Sequence, residues 1–278
     1  MKRRSFLVAT SAFLSTSLLP EGSNGQVTQR AERVSLTNNR RMSAGRSYSY
    51  QRIADPTGRA PTDRVERFEL RGGDCPRNND CTPRPFSRGL TVKRTRTEKI
   101  ITTRMRDGDE GLYRYWLFLP SSEFNFVDSV NSAFGQLLAA RGRGNSYDSF
   151  PIFLLDTGFD NPGSRISAWA GEALENELDE QRSAAYDFGN YKRDAYLRDN
   201  WFQVEVRFRL SSGNDGYIQP RVNGKTLGRF EGKTILRRGY LEIRYGIYQT
   251  GTNFYPGGAK AVPTQVALFS GVELFKLV

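Results

Sequence analysis

Apolar and polar residues alternate in several short segments of the chain, most clearly in its carboxy-terminal half. From residue 202 to residue 210, every even-numbered residue is apolar and every odd-numbered residue is polar. An alternation of period two puts the apolar side chains on one face and therefore predicts a half-buried strand. Shorter runs predict further strands at residues 65–70, 113–119, 150–156, 240–248 and 266–277.

Turn and helix signals complete the predicted architecture. Asn223-Gly224 separates the runs 217–222 and 225–230 and favours the positive φ angles of a type I′ turn, which predicts a hairpin. Helical periodicity is sparse, and the main candidate is residues 171–185, whose first half is acidic. Many short strands, with 27 glycines and 12 prolines, predict an all-β fold: a single-domain β-jelly-roll sandwich of the concanavalin-like kind.

The amino terminus has the pattern of an export signal. Lys2-Arg3-Arg4 precedes an apolar stretch at residues 6–19, which Pro20 ends before it is long enough to span a membrane. The run Arg3-Arg4-Ser5-Phe6-Leu7 resembles the twin-arginine signal of bacterial export. We therefore expect a periplasmic or secreted protein without membrane insertion after signal removal; the alternative is a frayed cytosolic terminus. The expected division is a signal peptide at 1–26, a flexible lead at 27–45 and the folded domain at 46–278.

Two cysteines fit an oxidising compartment. Cys75 and Cys81 flank a turn-rich loop of five residues, and export would allow them to form a disulfide. The alternative is a pair of free thiols.

Composition narrows the classes of function. The chain contains no histidine, which excludes Ser-His-Asp and Cys-His catalysis and histidine-ligated zinc. Lys and Arg number 41 against 30 Asp and Glu, a net charge of +11; loss of residues 1–26 removes three basic residues and one acidic residue, leaving +9. This charge favours an anionic partner. Nucleic acid has only the charge in its favour, since no nucleic-acid-binding motif is found.

Alternation also groups polar side chains on shared strand faces. Such a face, rich in Arg, Gln, Glu and Tyr, could bind an extended anionic chain, although a single charged residue on a strand is more often an ordinary solvated position. The candidates are Tyr240, Arg244 and Tyr248 in one strand, Arg94, Arg96 and Glu98 in another, Gln136 within an apolar run, and Arg207 in the strand at 202–210.

Several motifs resemble the jelly-roll polysaccharide lyases. Arg96-Thr97-Glu98 resembles the Arg-Thr-Glu motif of alginate-lyase-like proteins, and the run ending in Gly246-Ile247-Tyr248 resembles their Tyr-Phe-Lys-Ala-Gly-x-Tyr strand. The wider order of motifs is similar to the heparin lyase I-like family: Phe68-Glu69-Leu70-Arg71, Gly73-Asp74-Cys75, residues 116–120 and the Asn223-Gly224 hairpin follow one another along residues 46–278.

The resemblance implies β-elimination on a polysaccharide that contains uronic acid. Such a lyase must neutralise the C6 carboxylate before the C5 proton can leave. The resemblance assigns this neutralisation to Arg96 and Gln136, and assigns the transfer of the proton from C5 to the leaving O4 to Tyr248. Glu98 would orient an arginine, and Arg244 stands where alginate lyases have lysine.

One departure from the family bears on activity. These lyases normally carry a histidine beside the glutamine, at a place that corresponds to the neighbourhood of Leu138 here, and this chain has no histidine. Two functions therefore stay open: a lyase in which Tyr248 works without histidine, and a non-catalytic binding protein for anionic glycans on the same fold. No cofactor is evident. Calcium occurs in such folds, but Asp156, Asp160 and Asn161 are better explained as an ordinary turn, and no metal ligands are assigned. The sequence leaves the oligomeric state undetermined.

Overall fold

The computed structural model describes residues 30–76, 80–85, 91–141, 148–158, 165–173 and 183–278. Their regular secondary structure consists of strands, apart from two short 3₁₀ turns at Thr252–Phe254 and Ala259–Ala261. In chain order the strands are β1 (Ala31–Arg33), β2 (Asn39–Met42), β3 (Tyr50–Ala54), β4 (Arg64–Leu70), β5 (Arg84–Pro85), β6 (Thr91–Val92), β7 (Arg94–Thr102), β8 (Glu110–Phe118), β9 (Asn131–Arg141), β10 (Asp148–Asp156), β11 (Arg165–Gly171), β12 (Ser183–Asn190), β13 (Phe202–Arg209), β14 (Gly216–Val222), β15 (Lys225–Thr226), β16 (Phe230–Gly232), β17 (Tyr240–Thr250) and β18 (Gln265–Leu277).

The strands pair into two large antiparallel sheets. The first sheet has the order β15-β14-β13-β8-β18-β4-β3, with β1 added to β18 and β16 added to β14. The second sheet has the order β12-β11-β10-β9-β17-β7-β2. Several neighbouring strands, such as β8 with β18 and β9 with β17, are distant in sequence, as in the Greek-key connections of a jelly roll. The short pair β5-β6 stands apart from both sheets.

Apolar side chains from both sheets meet between them in one core. Phe68 of the first sheet contacts Tyr245 of the second with ring centroids 5.7 Å apart, and Phe269 contacts Tyr245 at 5.4 Å. On β17 the residues Leu241, Ile243, Tyr245 and Ile247 are all buried, as their alternation predicts. The all-β sandwich predicted from the sequence is therefore confirmed.

The structure confirms the predicted strands and the turn predicted at Asn223-Gly224. Residues 65–70, 113–119, 150–156, 202–210, 240–248 and 266–277 all coincide with observed strands to within a few residues. Asn223 and Gly224 have φ angles of 47° and 78°, which are those of the expected type I′ turn. The returning strand is interrupted, since Lys225–Thr226 pairs with β14 and pairing resumes only at Phe230.

Two expectations about the backbone need correction. Of the lead predicted to be flexible, residues 31–33 and 39–42 form strands β1 and β2, which pair with β18 and β7. The unpaired backbone groups of a strand can hydrogen-bond with any extended segment, so a polar segment can also form a strand there. The helix predicted at residues 171–185 is wrong at both described ends, which belong to β11 and β12; residues 174–182 lie outside the described parts of the chain.

The predicted disulfide is present. Cys75 and Cys81 are bonded, with their Cα atoms 5.7 Å apart. Asp80, inside the ring that this bond closes, is buried. The acidic group Asp156, Asp160 and Asn161 is only partly described, because its last two members lie outside the described residues. In the described parts of the chain, no helix has the length and apolar character that a membrane crossing requires.

Asp156, at the end of β10, is buried and links three strands of the second sheet. Asn131 of β9 donates to one carboxylate oxygen at 2.9 Å, and the hydroxyl of Ser167 on β11 donates to the other at 3.2 Å. Burial disfavours the charged carboxylate and outweighs both hydrogen bonds, which raises the pKa of Asp156 to about 6. The folded chain therefore keeps a proton that an unfolded aspartate has already lost.

We predict that Asp156→Asn weakens the dependence of stability on pH. The folded pKa lies above the unfolded value of 3.8, so the stability from this group is fully present below pH 3.8 and is lost as the pH rises through about 6. Asparagine can still accept from Asn131 and donate to Ser167. Between pH 4 and 7, the free energy of unfolding of the wild type should fall relative to the variant by up to about 3 kcal/mol, measured by urea denaturation. Parallel curves for the two proteins would contradict the assignment.

Candidate active site

The outer surface of the second sheet carries the polar residues that the sequence analysis grouped together. On β7, β9 and β17 the side chains that point away from the core form this surface, which we call the polar face. Cross-strand pairing sets its geometry: Tyr248 lies opposite Arg96, and Arg244 lies opposite Gln136. The described members from these three strands are Arg94, Arg96, Glu98, Gln136, Leu138, Tyr240, Glu242, Arg244 and Tyr248.

Gly246 allows β17 to approach β7 closely between these pairs. Its φ angle is 131°, and a Cβ atom there would lie 2.3 Å from the carbonyl oxygen of Thr97 and 2.9 Å from the Cα of Glu98. Only glycine fits such a position. The pairing of β17 with β9 shifts register between Tyr245 and Tyr248. Gly246 therefore shapes the segment that presents Tyr248.

The ring of Tyr248 lies against the guanidinium group of Arg96. The Cζ atom of Arg96 is 4.3 Å from the ring centroid, within the range of a cation–π contact. Arg96 is buried, whereas Tyr248 is partly exposed. Burial opposes the charge of Arg96, but Glu98, Tyr248 and Asp80 outweigh it and raise the pKa of Arg96 above its ordinary value. A permanent positive charge thus lies beneath the tyrosine.

Two buried carboxylates hold Arg96 in place. Asp80 accepts from Nε at 2.6 Å and from a terminal nitrogen at 3.2 Å, in a bidentate pair. Glu98 accepts from the other terminal nitrogen at 3.1 Å. The carbonyl oxygen of Asp80 also accepts from the backbone N–H of Arg94 at 3.0 Å. The loop closed by the disulfide is therefore fastened to β7 through both the backbone and the side chain of Asp80.

Glu98 joins the arginine to the glutamine. Its second carboxylate oxygen accepts from Nε2 of Gln136 at 2.6 Å. Burial raises the pKa of Glu98 although Arg96 and Arg244 lower it. The expectation that Glu98 orients an arginine agrees with this geometry. One hydrogen of the Gln136 amide is used here, and Nε2 carries a second.

Arg244 forms a second ion pair on the polar face. Its Nε and a terminal nitrogen contact one carboxylate oxygen of Glu242 at 2.6 and 2.5 Å. Glu242 is fully buried, and the Arg244 side chain is 11% exposed. Leu138, near which the resemblance would place a histidine, is buried and lies opposite Glu242. The neighbour of Gln136 along this strand face is therefore apolar.

The remaining predicted residues are spread more widely. Arg94 and Tyr240 lie at opposite ends of the polar face, opposite Thr250 and Ala140. Arg207 is on β13 of the other sheet, where it bonds Glu110 at 2.9 Å and the hydroxyl of Tyr217 at 3.1 Å. Its assignment to the same site is wrong, because alternation shows which face of a strand a residue occupies but not which sheet contains that strand.

The sequence pattern does not reveal two of the residues that bond the arginines of the polar face. Asp80 belongs to a turn-rich segment, and no local pattern connects it with Arg96, sixteen residues away. Glu242 shares the alternation of Arg244, but alternation alone did not predict that it would be buried and paired. Among the described residues, no cluster of three or more potential metal ligands is present.

Comparisons with known proteins agree with this architecture. A family model described as "Polysaccharide lyase" matches residues 25–272. No curated protein matches the chain. Among solved structures, the endo-β-1,4-glucuronan lyase of the fungus Trichoderma reesei is similar with a TM-score of 0.58 and 13% identity, over 90% of this chain and 94% of that one. At this identity the likeness supports the fold.

Two alginate lyases are also similar, at lower TM-scores on which no argument rests. The enzyme of Pseudomonas aeruginosa has a TM-score of 0.48 and 18% identity, over 83% of this chain and 87% of that one. The enzyme of a Chlorella virus has a TM-score of 0.46 and 12% identity, over 83% and 90% of the two chains. The family match spans most of the sequence, and the chain belongs to the polysaccharide lyase family.

Proposed function

We propose that the protein cleaves an anionic polysaccharide containing uronic acid by β-elimination, with Tyr248 transferring the proton. The observation that carries this proposal is the contact between Tyr248 and Arg96 at 4.3 Å, beside Gln136 and Arg244 on one face. The excess of 41 basic over 30 acidic residues suits a polyanion. Family membership supports the polysaccharide lyase activity, and the local chemistry supports the uronate substrate.

The first requirement is neutralisation of the uronate carboxylate. Loss of the C5 proton leaves an enolate-like charge on the C6 carboxyl group, so donors aimed at that group lower the barrier. Gln136 has a second amide hydrogen to donate, and the guanidinium of Arg244 lies opposite it across β9 and β17. Arg96 was expected to share this task. Its bonds to Asp80 and Glu98 favour a different one, which is to act on Tyr248.

The second requirement is a base that can also act as an acid. A free phenol has a pKa of about 10, so a nearby cation is needed to favour the phenolate. The guanidinium of Arg96 is the cation that contacts the ring of Tyr248. The phenolate oxygen takes the C5 proton, the C4–O4 bond breaks, a C4=C5 double bond forms, and the phenol returns the proton to O4. Atoms and charge balance without any other reactant.

The missing histidine defines the competing function. Leu138 can neither donate a hydrogen bond nor accept a proton, so neutralisation would depend on Gln136 and Arg244. If that is insufficient, the same face would bind an anionic glycan without cleaving it. We further propose export to the periplasm or the medium, which the disulfide between Cys75 and Cys81 favours. The signal itself lies outside the described residues.

We predict that Tyr248→Phe abolishes cleavage while leaving binding intact. Phenylalanine keeps the ring over Arg96 but loses the hydroxyl that carries the proton. Ultraviolet absorbance of the unsaturated product, measured on glucuronan, alginate and heparin, should rise with wild type on one substrate and fall at least 100-fold with the variant. Arg207→Gln on the opposite sheet is the matched control and should keep full activity.

The other outcomes of this measurement separate the alternatives. Cleavage that survives Tyr248→Phe would keep the lyase class and reject the tyrosine as the proton carrier. Absence of cleavage on every substrate, together with selective retention on one immobilised polysaccharide, would favour the binding protein.

We predict that the charge-neutral double variant Arg96→Gln/Asp80→Asn lowers kcat at least about tenfold while KM stays within about threefold. Glutamine cannot reproduce the flat cationic contact that holds the ring of Tyr248, and removal of Asp80 as well avoids a buried unpaired carboxylate. Urea denaturation checks that the double variant is folded. Arg94→Gln, on the same strand face, is the control. An unchanged kcat in a folded double variant would restrict Arg96 to a structural role.

A further inference from the structure

We propose that Trp169 forms a subsite on which a sugar ring of the polysaccharide stacks, two strands away from Gln136. This inference rests on the proposed function, since it extends the same polar face to β11. Trp169 lies on the side of β11 that points away from the core, because its neighbours Ala168 and Ala170 are buried in the core. The indole is partly exposed.

Gly171 makes room for the indole to lie along the strand. A Cβ atom on Gly171 would be 2.5 Å from Cη2 and 2.6 Å from Cζ2 of Trp169. The six-membered part of the ring therefore occupies the space that the side chain of residue 171 would fill. The ring thus lies beside the backbone of its own strand at Gly171.

The register aligns Trp169 with the proposed catalytic groups. Trp169 lies opposite Leu154, Leu154 lies opposite Gln136, and Gln136 lies opposite Arg244. Strands are spaced about 4.8 Å apart, so the backbone of Trp169 is about 10 Å from that of Gln136 along a line perpendicular to the strands. A chain of sugars that crosses the strands at Gln136 would reach Trp169.

The surroundings of the indole favour a sugar ring over a charged group. Ala185, opposite Trp169 on the outer strand, is small and exposed, and Leu154 on the other side is partly exposed and apolar. The negative face of an aromatic ring attracts the partly positive C–H hydrogens of a pyranose, while the hydroxyl and carboxylate groups around the sugar remain at its edge. The aligned residues Arg244, Gln136, Leu154 and Trp169 thus have a charged end at Arg244 and an apolar end at Trp169.

The test compares turnover with binding in three variants. Trp169→Ala removes the ring, Trp169→Leu keeps apolar bulk without a flat face, and Gly171→Ala keeps the tryptophan but displaces its ring. Trp116→Ala is the matched control, because Trp116 is a partly exposed tryptophan on the outer face of β8 in the other sheet. The probe is the polymer, among glucuronan, alginate and heparin, that the wild type cleaves. If none is cleaved, the probe is the polymer that retards the wild-type protein most strongly in affinity electrophoresis.

We expect Trp169→Ala and Trp169→Leu to raise KM on the polymer about tenfold with kcat within twofold, and to weaken retention by a similar factor. Gly171→Ala should give a smaller rise, and Trp116→Ala none. Unchanged KM and retention in Trp169→Ala would overturn the subsite and leave the lyase proposal intact. Wild-type values in Trp169→Leu would also overturn it, because apolar cover would then suffice. Weaker retention without cleavage by any protein would support the subsite and reject the lyase.

Discussion

The polar face depends on the pairing of buried charges around Arg96. A guanidinium taken out of water is tolerated only when its hydrogens meet acceptors, and here Asp80 and Glu98 provide them. Glu98 in turn bonds Gln136, so strands β7 and β9 and the disulfide loop share one network. The same network holds a cation against the ring of Tyr248. The ion pairs that stabilise the buried charges therefore also fix the groups of the proposed reaction.

A second ion pair repeats the arrangement on the neighbouring strand. Arg244 and Glu242 lie two residues apart on β17, and the carboxylate is again the more deeply buried partner. Buried carboxylates therefore hold both arginines in place. Such fixed partners restrict the rotamers of long side chains, which keeps their charges at defined positions on the polar face. With Leu138 in place of a histidine, these two pairs are the main charged groups around Gln136 in the described part of the face.

Local alternation predicted most of the strands, because burial of one sheet face imposes a period of two on the sequence. It also placed Arg96, Glu98, Arg244 and Tyr248 on the outward sides of their strands correctly. Alternation carries no information about pairing between distant strands, so it could not separate Arg207 from the others. The partnership of Asp80 with Arg96 escaped for the same reason. At residues 171–185 the acidic composition predicts a helix start, whereas the described ends form strands.

The disulfide loop makes the surroundings of Arg96 depend on the redox state of two cysteines. Asp80 sits within the ring closed by Cys75 and Cys81, and its carboxylate is the bidentate partner of Arg96. In a reducing cytosol the ring is open, and the entropy of a longer loop opposes the placement of Asp80. Formation of the disulfide lowers this entropic cost, and Asp80 then completes the acceptors around Arg96. The redox state of two thiols is thereby coupled to the assembly of the ion pair beneath Tyr248.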